Sequence, residues 1–171
     1  SFIMSKSPRS FPHFATPEIE LIERESDVLL RSRVVLGNYA RSVADWLQQW
    51  AIHRPNTVFL AQRPGGDPSQ PWETITYAEM WNRARSIGQG LLDLGLGQDK
   101  PLAVLSGASI DHGSLVMAGH LVGVPIFPVS EAYSLLATTT DRLEYIVGHT
   151  DAGAVFASSS YMFGKALDLF A

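Results

Sequence analysis

The 171-residue sequence contains no cysteine. Disulfides, thiolate metal sites and a cysteine nucleophile are therefore excluded, and the composition fits a reducing, cytoplasmic setting. Charge is also sparse: 13 Lys and Arg stand against 17 Asp and Glu, for a net charge of −4. No basic stripe of the kind that nucleic-acid phosphates require accompanies it, so no nucleic-acid partner is expected. No apolar run approaches the roughly 20 residues that cross a bilayer. The opening stretch from Ser1 to Ser10 lacks the continuous apolar segment of a secretory signal. No membrane partner is expected, and residues 1–15 read as an arm or cloning remnant. Internal repeats and low-complexity tracts are missing too.

What is present is apolar material in ordered alternation. Hydrophobic residues make up 46% of the chain, enough for a real core. Ile19, Leu21, Val28, Leu30 and Val34 stand at mostly even spacing around the polar stretch Glu25-Ser26-Asp27, which predicts a β-hairpin within a lead-in spanning residues 16–41. Ser42 then caps a helix with Val43, Trp46, Leu47, Trp50 and Ala51 on one face, ended by Arg54-Pro55. Thr57–Gln62 reads as a strand, Pro64–Pro68 as a loop and Trp72–Thr76 as a second strand. Thr76 and Glu79 match a capping box at the start of the clearest helix, with Tyr77, Met80, Trp81, Ala84, Ile87, Leu91 and Leu94 at helical spacing. Further on, strands at Leu102–Ser106, Val124–Val129 and Ala152–Ala157 alternate with helices at Ile110–Val122, Thr138–His149 and Ser160–Phe170. Such alternation argues for βαβ units and a mostly parallel sheet covered on both faces.

Few residues announce chemistry. The loop Ser106-Gly107-Ala108-Ser109, between a buried strand and a helix, has the small residues that let backbone N–H groups hold an anion. The same residues make an ordinary tight turn and N-cap, and neither G-x-G-x-x-G nor G-x-x-x-x-G-K-[ST] is present. Gly88 and Gly90 lie inside an amphipathic helix, where they serve packing. His13, His53, His112, His120 and His149 show no metal-ligand spacing, and a G-x-S-x-G nucleophile elbow is missing. Trp46, Trp50 and Trp81 fall on apolar helix faces and are assigned to packing, and Trp72 to a partly exposed position. The nearly uncharged helix Ile110–Val122 is expected to be an uncovered surface through which the chain self-associates. Read residue by residue, the sequence is an α/β domain with no visible active site, and no catalytic, cofactor-binding or metal-ligating residue is assigned.

Two segments carry a resemblance. Glu73-Thr74-Ile75-Thr76-Tyr77-Ala78-Glu79-Met80 resembles the "TYxEL" stretch near the start of acyl-adenylating enzymes. Ala118–Ser134, which contains Gly123-Val124-Pro125 and Pro128-Val129-Ser130-Glu131-Ala132-Tyr133-Ser134, is similar to the second core motif of that superfamily. The lead-in and the strand after Lys100 fit as well, and the hairpin with Leu36-Gly37-Asn38-Tyr39 resembles the feruloyl-CoA synthase branch. Ala108 stands where many relatives have Asn, and Glu131 where Pro is common.

The resemblance implies a partial layered αβα sheet domain, with residues 42–171 the N-terminal portion of a large adenylating domain. It implies an ATP-, Mg- and coenzyme A-dependent ligase acting on a small carboxylic acid, an aromatic one such as ferulate. The family's phosphate-binding loop, its acid for Mg²⁺, its ribose-binding Asp and its mobile-domain lysine lie downstream of the second motif in relatives, so the chain alone is expected to bind no cofactor and to be inactive. A non-catalytic α/β binding or regulatory module is one alternative. A flavodoxin-like nucleotide-binding domain, with Ser106–Ser109 as phosphate loop, is the other.

Overall fold

The computed structural model describes residues 18–136 and 138–171. Two compact units divide the chain, Ser1–Tyr39 and Ala40–Ala171. In the first, β1 (Ile19–Glu23) and β2 (Val28–Ser32) pair antiparallel with Leu21 opposite Leu30. The turn closes through the Arg24 amide, which donates to the Asp27 carbonyl, and through the Arg24 guanidinium on the Asp27 carboxylate (2.5 and 2.7 Å). Ile19, Leu21, Val28 and Leu30 share one face of this hairpin by strand parity and are each more than half exposed.

The second unit begins with α1 (Val43–His53), started by a capping box between Ser42 and Asp45. The buried residues of α1 are Ala44 and Leu47 rather than the tryptophans. That stripe is turned away from the expected one, which leaves Trp46 52% exposed and sets Trp50 at the rim, under the Arg54 guanidinium at 5.0 Å. Next, β3 (Val58–Gln62) and β4 (Glu73–Thr76) form an antiparallel pair with a register shift between Val58 and Leu60. The loop between them folds back so that Arg63 lies over Trp72 at 4.6 Å and donates to the Pro68 carbonyl.

Helix α2 (Tyr77–Asp93) starts where the sequence predicts. Glu79 accepts from the Thr76 amide and hydroxyl (both 2.8 Å), while the Glu79 amide donates to Thr76 Oγ1 (3.3 Å). Those donors hold the Glu79 carboxyl below the usual carboxylate range. Because the folded pKa is lowered, the cap stabilises above the unfolded carboxylate pKa and fades as pH falls through the folded value. Thr76→Ala is expected to cost about 1 kcal/mol in urea unfolding at neutral pH, with a smaller difference from the parent in acid. An equal difference at both pH values would refute the charged cap. The helix ends through Gly95, whose φ of 74° is the left-handed conformation that glycine adopts freely.

The three parallel strands β5 (Leu102–Leu105), β6 (Ile126–Pro128) and β7 (Ala154–Ala157) stand in the order β6-β5-β7. β5 lies between the others and all four of its residues are buried. Strand parity divides the core cleanly. Leu102, Val104, Ile126, Ala154 and Phe156 join one cluster with α1, α2 and α3 (Ile110–Val122). Leu105, Phe127, Val129, Val155 and Ala157 join another with α5 (Asp141–Thr150) and α6 (Ser160–Leu167). This is the expected α/β layering, with its antiparallel hairpin at the N-terminus.

Several expectations change. Helix α3 is not an uncovered surface: Ile110, Ser114, Leu115, Ala118 and Gly119 are buried, and only Asp111 and His120 are exposed along its length. Its low charge reflects burial on several sides rather than a missing partner. β6 begins at Ile126 rather than Val124, because Pro125 has no N–H to donate to β5. A four-residue helix, α4 (Glu131–Ser134), precedes α5, and the N-cap of α5 is Thr140 rather than Thr138. No side chain caps the start of α5, where the Thr140 hydroxyl donates to the Glu144 carboxylate instead. Gly88 is a packing glycine as expected, since a Cβ there would lie 2.8 Å from Val122 Cγ1, but Gly90 is not, since nothing lies within 4 Å of a Cβ added there.

Candidate functional site

In doubly wound α/β sheets, ligands bind outside the carboxyl ends of the strands, where neighbouring connections leave toward opposite faces. That condition is met at β5. The chain leaves β5 toward α3 on one face, whereas it leaves β6 and β7 toward helices on the other. The loops at this edge are Ser106–Ser109, Val129–Ser130 and Ser158–Ser159.

Within the first loop, small residues perform structural tasks. Ser109 caps α3 by accepting the His112 amide at 3.0 Å. The Ile110 amide donates to Gln62 Oε1 at 2.6 Å, and the Gly113 amide to the Ser109 carbonyl. Ser106, 6% exposed, donates to the Gly107 carbonyl, which also lies 3.2 Å from His112 Nδ1. Gly107 faces the carboxylate of Glu131: an added Cβ would stand 3.1 Å from Oε1. The helix N-terminus is therefore largely satisfied from within, and a negative charge sits beside it. Neither fact suits a phosphate cradle.

Around this edge the cations are committed. The three loops contain no Lys or Arg. Arg83 pairs with Asp111 at 3.5 Å, and the Arg142 guanidinium lies 5.5 Å above the Tyr133 ring and donates to its hydroxyl at 3.3 Å. Among the described residues no three His, Asp or Glu side chains come together in a way that could hold a metal ion. A triphosphate with its magnesium needs several cations and oxygen donors at one place, so these residues do not fit that group and no chemical step is assigned to them. His112 approaches the edge through its Nδ1, whereas His120 is exposed eight residues further along α3 and His149 stacks on Tyr145 at 5.6 Å. His13 lies outside the described residues. The Gln62–Ile110 bond, which ties the β3–β4 pair to α3, had no signal in the sequence, because its partners are 48 residues apart. Among the described residues no helix is long and apolar enough to cross a membrane.

No curated protein matches the sequence. Among solved structures, a fatty acyl-adenylate ligase from L. pneumophila, in complex with acyl adenylate and pyrophosphate, is similar at 17% identity and a TM-score of 0.61 over 77% of this chain and 21% of that one. The A-PCP didomain of a carboxylic acid reductase from Segniliparus rugosus, in complex with AMP, is similar at 23% identity and a TM-score of 0.60, over 75% of this chain and 19% of that one. A protein from Rhodopseudomonas palustris described as a putative long-chain-fatty-acid CoA ligase is similar at 21% identity and a TM-score of 0.61, over 74% and 30% respectively. The chain thus spans less than a third of the length of these solved proteins, and at such identities the likeness establishes the fold. The profile of one family covers more than half of the chain, residues 47–168. The chain belongs to the AMP-binding enzyme family.

Proposed function

We propose that this chain is the N-terminal part of an ATP-dependent acid–CoA ligase acting in the cytoplasm, with an aromatic acid such as ferulate as its substrate. In the overall reaction a carboxylate displaces pyrophosphate from magnesium-bound ATP to form an acyl adenylate. The thiol of coenzyme A then displaces AMP and leaves the acyl thioester. The observation that carries this reading is the family match over residues 47–168, joined to the two ordered motifs at Glu73–Met80 and Ala118–Ser134. Feruloyl-CoA synthase character is favoured by the lead-in around Leu36-Gly37-Asn38-Tyr39. In this reading residues 1–15 are an arm, residues 16–41 a hairpin lead-in and residues 42–171 a scaffold that positions loops contributed from elsewhere in the enzyme.

The purified 171-residue chain is expected to show no carboxylate-dependent ATP–pyrophosphate exchange with ferulate, ATP and magnesium. Robust exchange would place phosphate-handling groups within these residues and overturn the scaffold role. For the identity itself, the test is the coding frame beyond Ala171 and the enzyme it encodes. A Ser/Thr/Gly-rich loop ending in Pro-Lys, and a kcat/KM for ferulate above that for dodecanoate, are expected. The reverse preference would sink the aromatic branch and leave the ligase class standing.

A further inference from the structure

Helix α3 is fastened at its first turn by a polar chain that starts in the Glu73–Met80 motif. Strand register places Gln62 of β3 opposite Glu73 of β4. Gln62 Nε2 donates to Glu73 Oε2 at 2.9 Å, and Gln62 Oε1 accepts the Ile110 amide at 2.6 Å. Chemistry dictates which way the Gln62 amide faces. A backbone N–H only donates and a carboxylate only accepts, so a flipped amide would lose both bonds. Ile110 opens α3, where the first N–H groups have no partner within the helix. Leu60, on the same face of β3, adds a second point of attachment. It reaches α3 almost one turn further on, where a Cβ at Gly113 would lie 2.6 Å from Leu60 Cδ1. Two residues along a strand and three along a helix span similar lengths, roughly 6.6 and 4.5 Å. β3 therefore follows the helix from Gly113 back to its first residue.

We propose that Glu73 and Gln62 form a strap that sets the first turn of α3 and, through it, the Ser106–Ser109 loop at the carboxyl edge of β5, with Gln62 as the positioning residue. The other hydrogen bonds of this segment would travel with it. Ser106 to the Gly107 carbonyl, His112 beside that same carbonyl, and the Ser109 cap all lie within residues 106–113. The Gln62 bond instead refers the turn to another element, 48 residues away in sequence. From the side of α2, Arg83 meets Asp111 at 3.5 Å, but both side chains are well exposed, and such pairs contribute little. The strap gives the motif a mechanical task. Its first residue orients the amide that holds the edge where α/β sheets bind ligands, while Thr76 and Glu79 start α2. That this edge borders reacting groups rests on the ligase reading. The strap itself does not, and the experiment below reads only the strap.

Amide signals and hydrogen exchange of the 171-residue chain, followed by nuclear magnetic resonance, provide the test. Gln62→Ala removes the acceptor and is expected to speed exchange of the Ile110 amide roughly tenfold, the loss of one hydrogen bond. The Ile110 and Gly107 amide signals should move, and those of α5 should stay. Gln62→Glu sets two carboxylates against each other and is expected to disturb the same signals. The double variant Gln62→Glu/Glu73→Gln exchanges the two groups, so that a donor again faces a carboxylate and an acceptor again faces the Ile110 amide. It is expected to recover most of the parent's Ile110 protection and its signal position. A side chain that merely filled space would not respond to that exchange. Unchanged Ile110 protection in Gln62→Ala, or a double variant no closer to the parent than Gln62→Glu alone, would each overturn the proposal.

Discussion

Replacing Gly119 by alanine is expected to cost about 3 kcal/mol, enough to lower the denaturation midpoint sharply. A methyl group at this position meets the Ile126 side chain and stands 2.6 Å from the Val124 carbonyl oxygen. The side chain can rotate, but the carbonyl belongs to the turn that carries the chain from α3 into β6, where Gly123 adopts a φ of 75°. Relief therefore requires moving α3 off the sheet, and overpacking of this kind typically costs 1–3 kcal/mol or more. Intrinsic propensity runs the other way, since alanine is favoured over glycine inside a helix by roughly 1 kcal/mol. Gly90 supplies the control. It lies inside α2 with nothing within 4 Å of an added Cβ, so Gly90→Ala is expected to stabilise by roughly 0.5–1 kcal/mol. Urea titration of the two variants should give shifts of opposite sign. A Gly119→Ala protein as stable as the parent would show that the α3–β6 approach is looser than described.

Phe163→Ala is the second large effect, expected at about 3–5 kcal/mol. Phe163 is 1% exposed and is the largest fully buried side chain in the protein's described residues. It belongs to the smaller cluster, where Leu105, Val129, Leu143 and Ala166 are its buried companions. With so few members, the cluster has little means of closing over a vacated ring. Small domains are stable by only about 5–15 kcal/mol, so the loss is a large part of the total. Near-UV circular dichroism should weaken and the denaturation midpoint fall. Leu94→Ala, at a side chain 71% exposed, should change stability by less than about 0.5 kcal/mol. If the two variants unfolded at the same denaturant concentration, the α5–α6 face would not be a packed core.

The parts of this fold that were legible from sequence are those governed by local rules. The Thr76–Glu79 box, the Ser42 cap and the Ser109 cap each act within three residues, and α2 and α3 start where those signals place them. The alternation of apolar strands with helices was enough to predict a parallel sheet. What was misjudged depends on what lies across the chain. The buried stripe of α1 runs through Ala44 and Leu47 because α2 and α3 cover that side, and nothing local reveals which flank of Trp46 is covered. The nearly uncharged α3 looked like an open surface since hydrophobicity alone does not distinguish a helix awaiting a partner from one enclosed by several. At the edge beyond β5, the Gly107–Glu131 approach and the Gln62–Ile110 bond both join segments far apart in sequence. The family resemblance rested on motif residues, and those residues here are caps, turns and core, so the motif was readable while the site was not.

The placement of β5 bears on the order in which the protein acquires its structure. Leu102 pairs with Ile126 on one side and with Ala154 on the other. As the polypeptide emerges from the ribosome, α1, the β3–β4 pair and α2 are complete before β5 has either neighbour. Such local units form early, whereas pairings across long sequence separations are delayed by loop closure. Until Ala157 has been synthesised, β5 has a single strand beside it, and Leu105 is without Phe163 and Ala166, which close its side of the sheet. During translation that strand is the interval of greatest vulnerability, and a chaperone that binds short apolar segments would be expected to engage this nascent chain there.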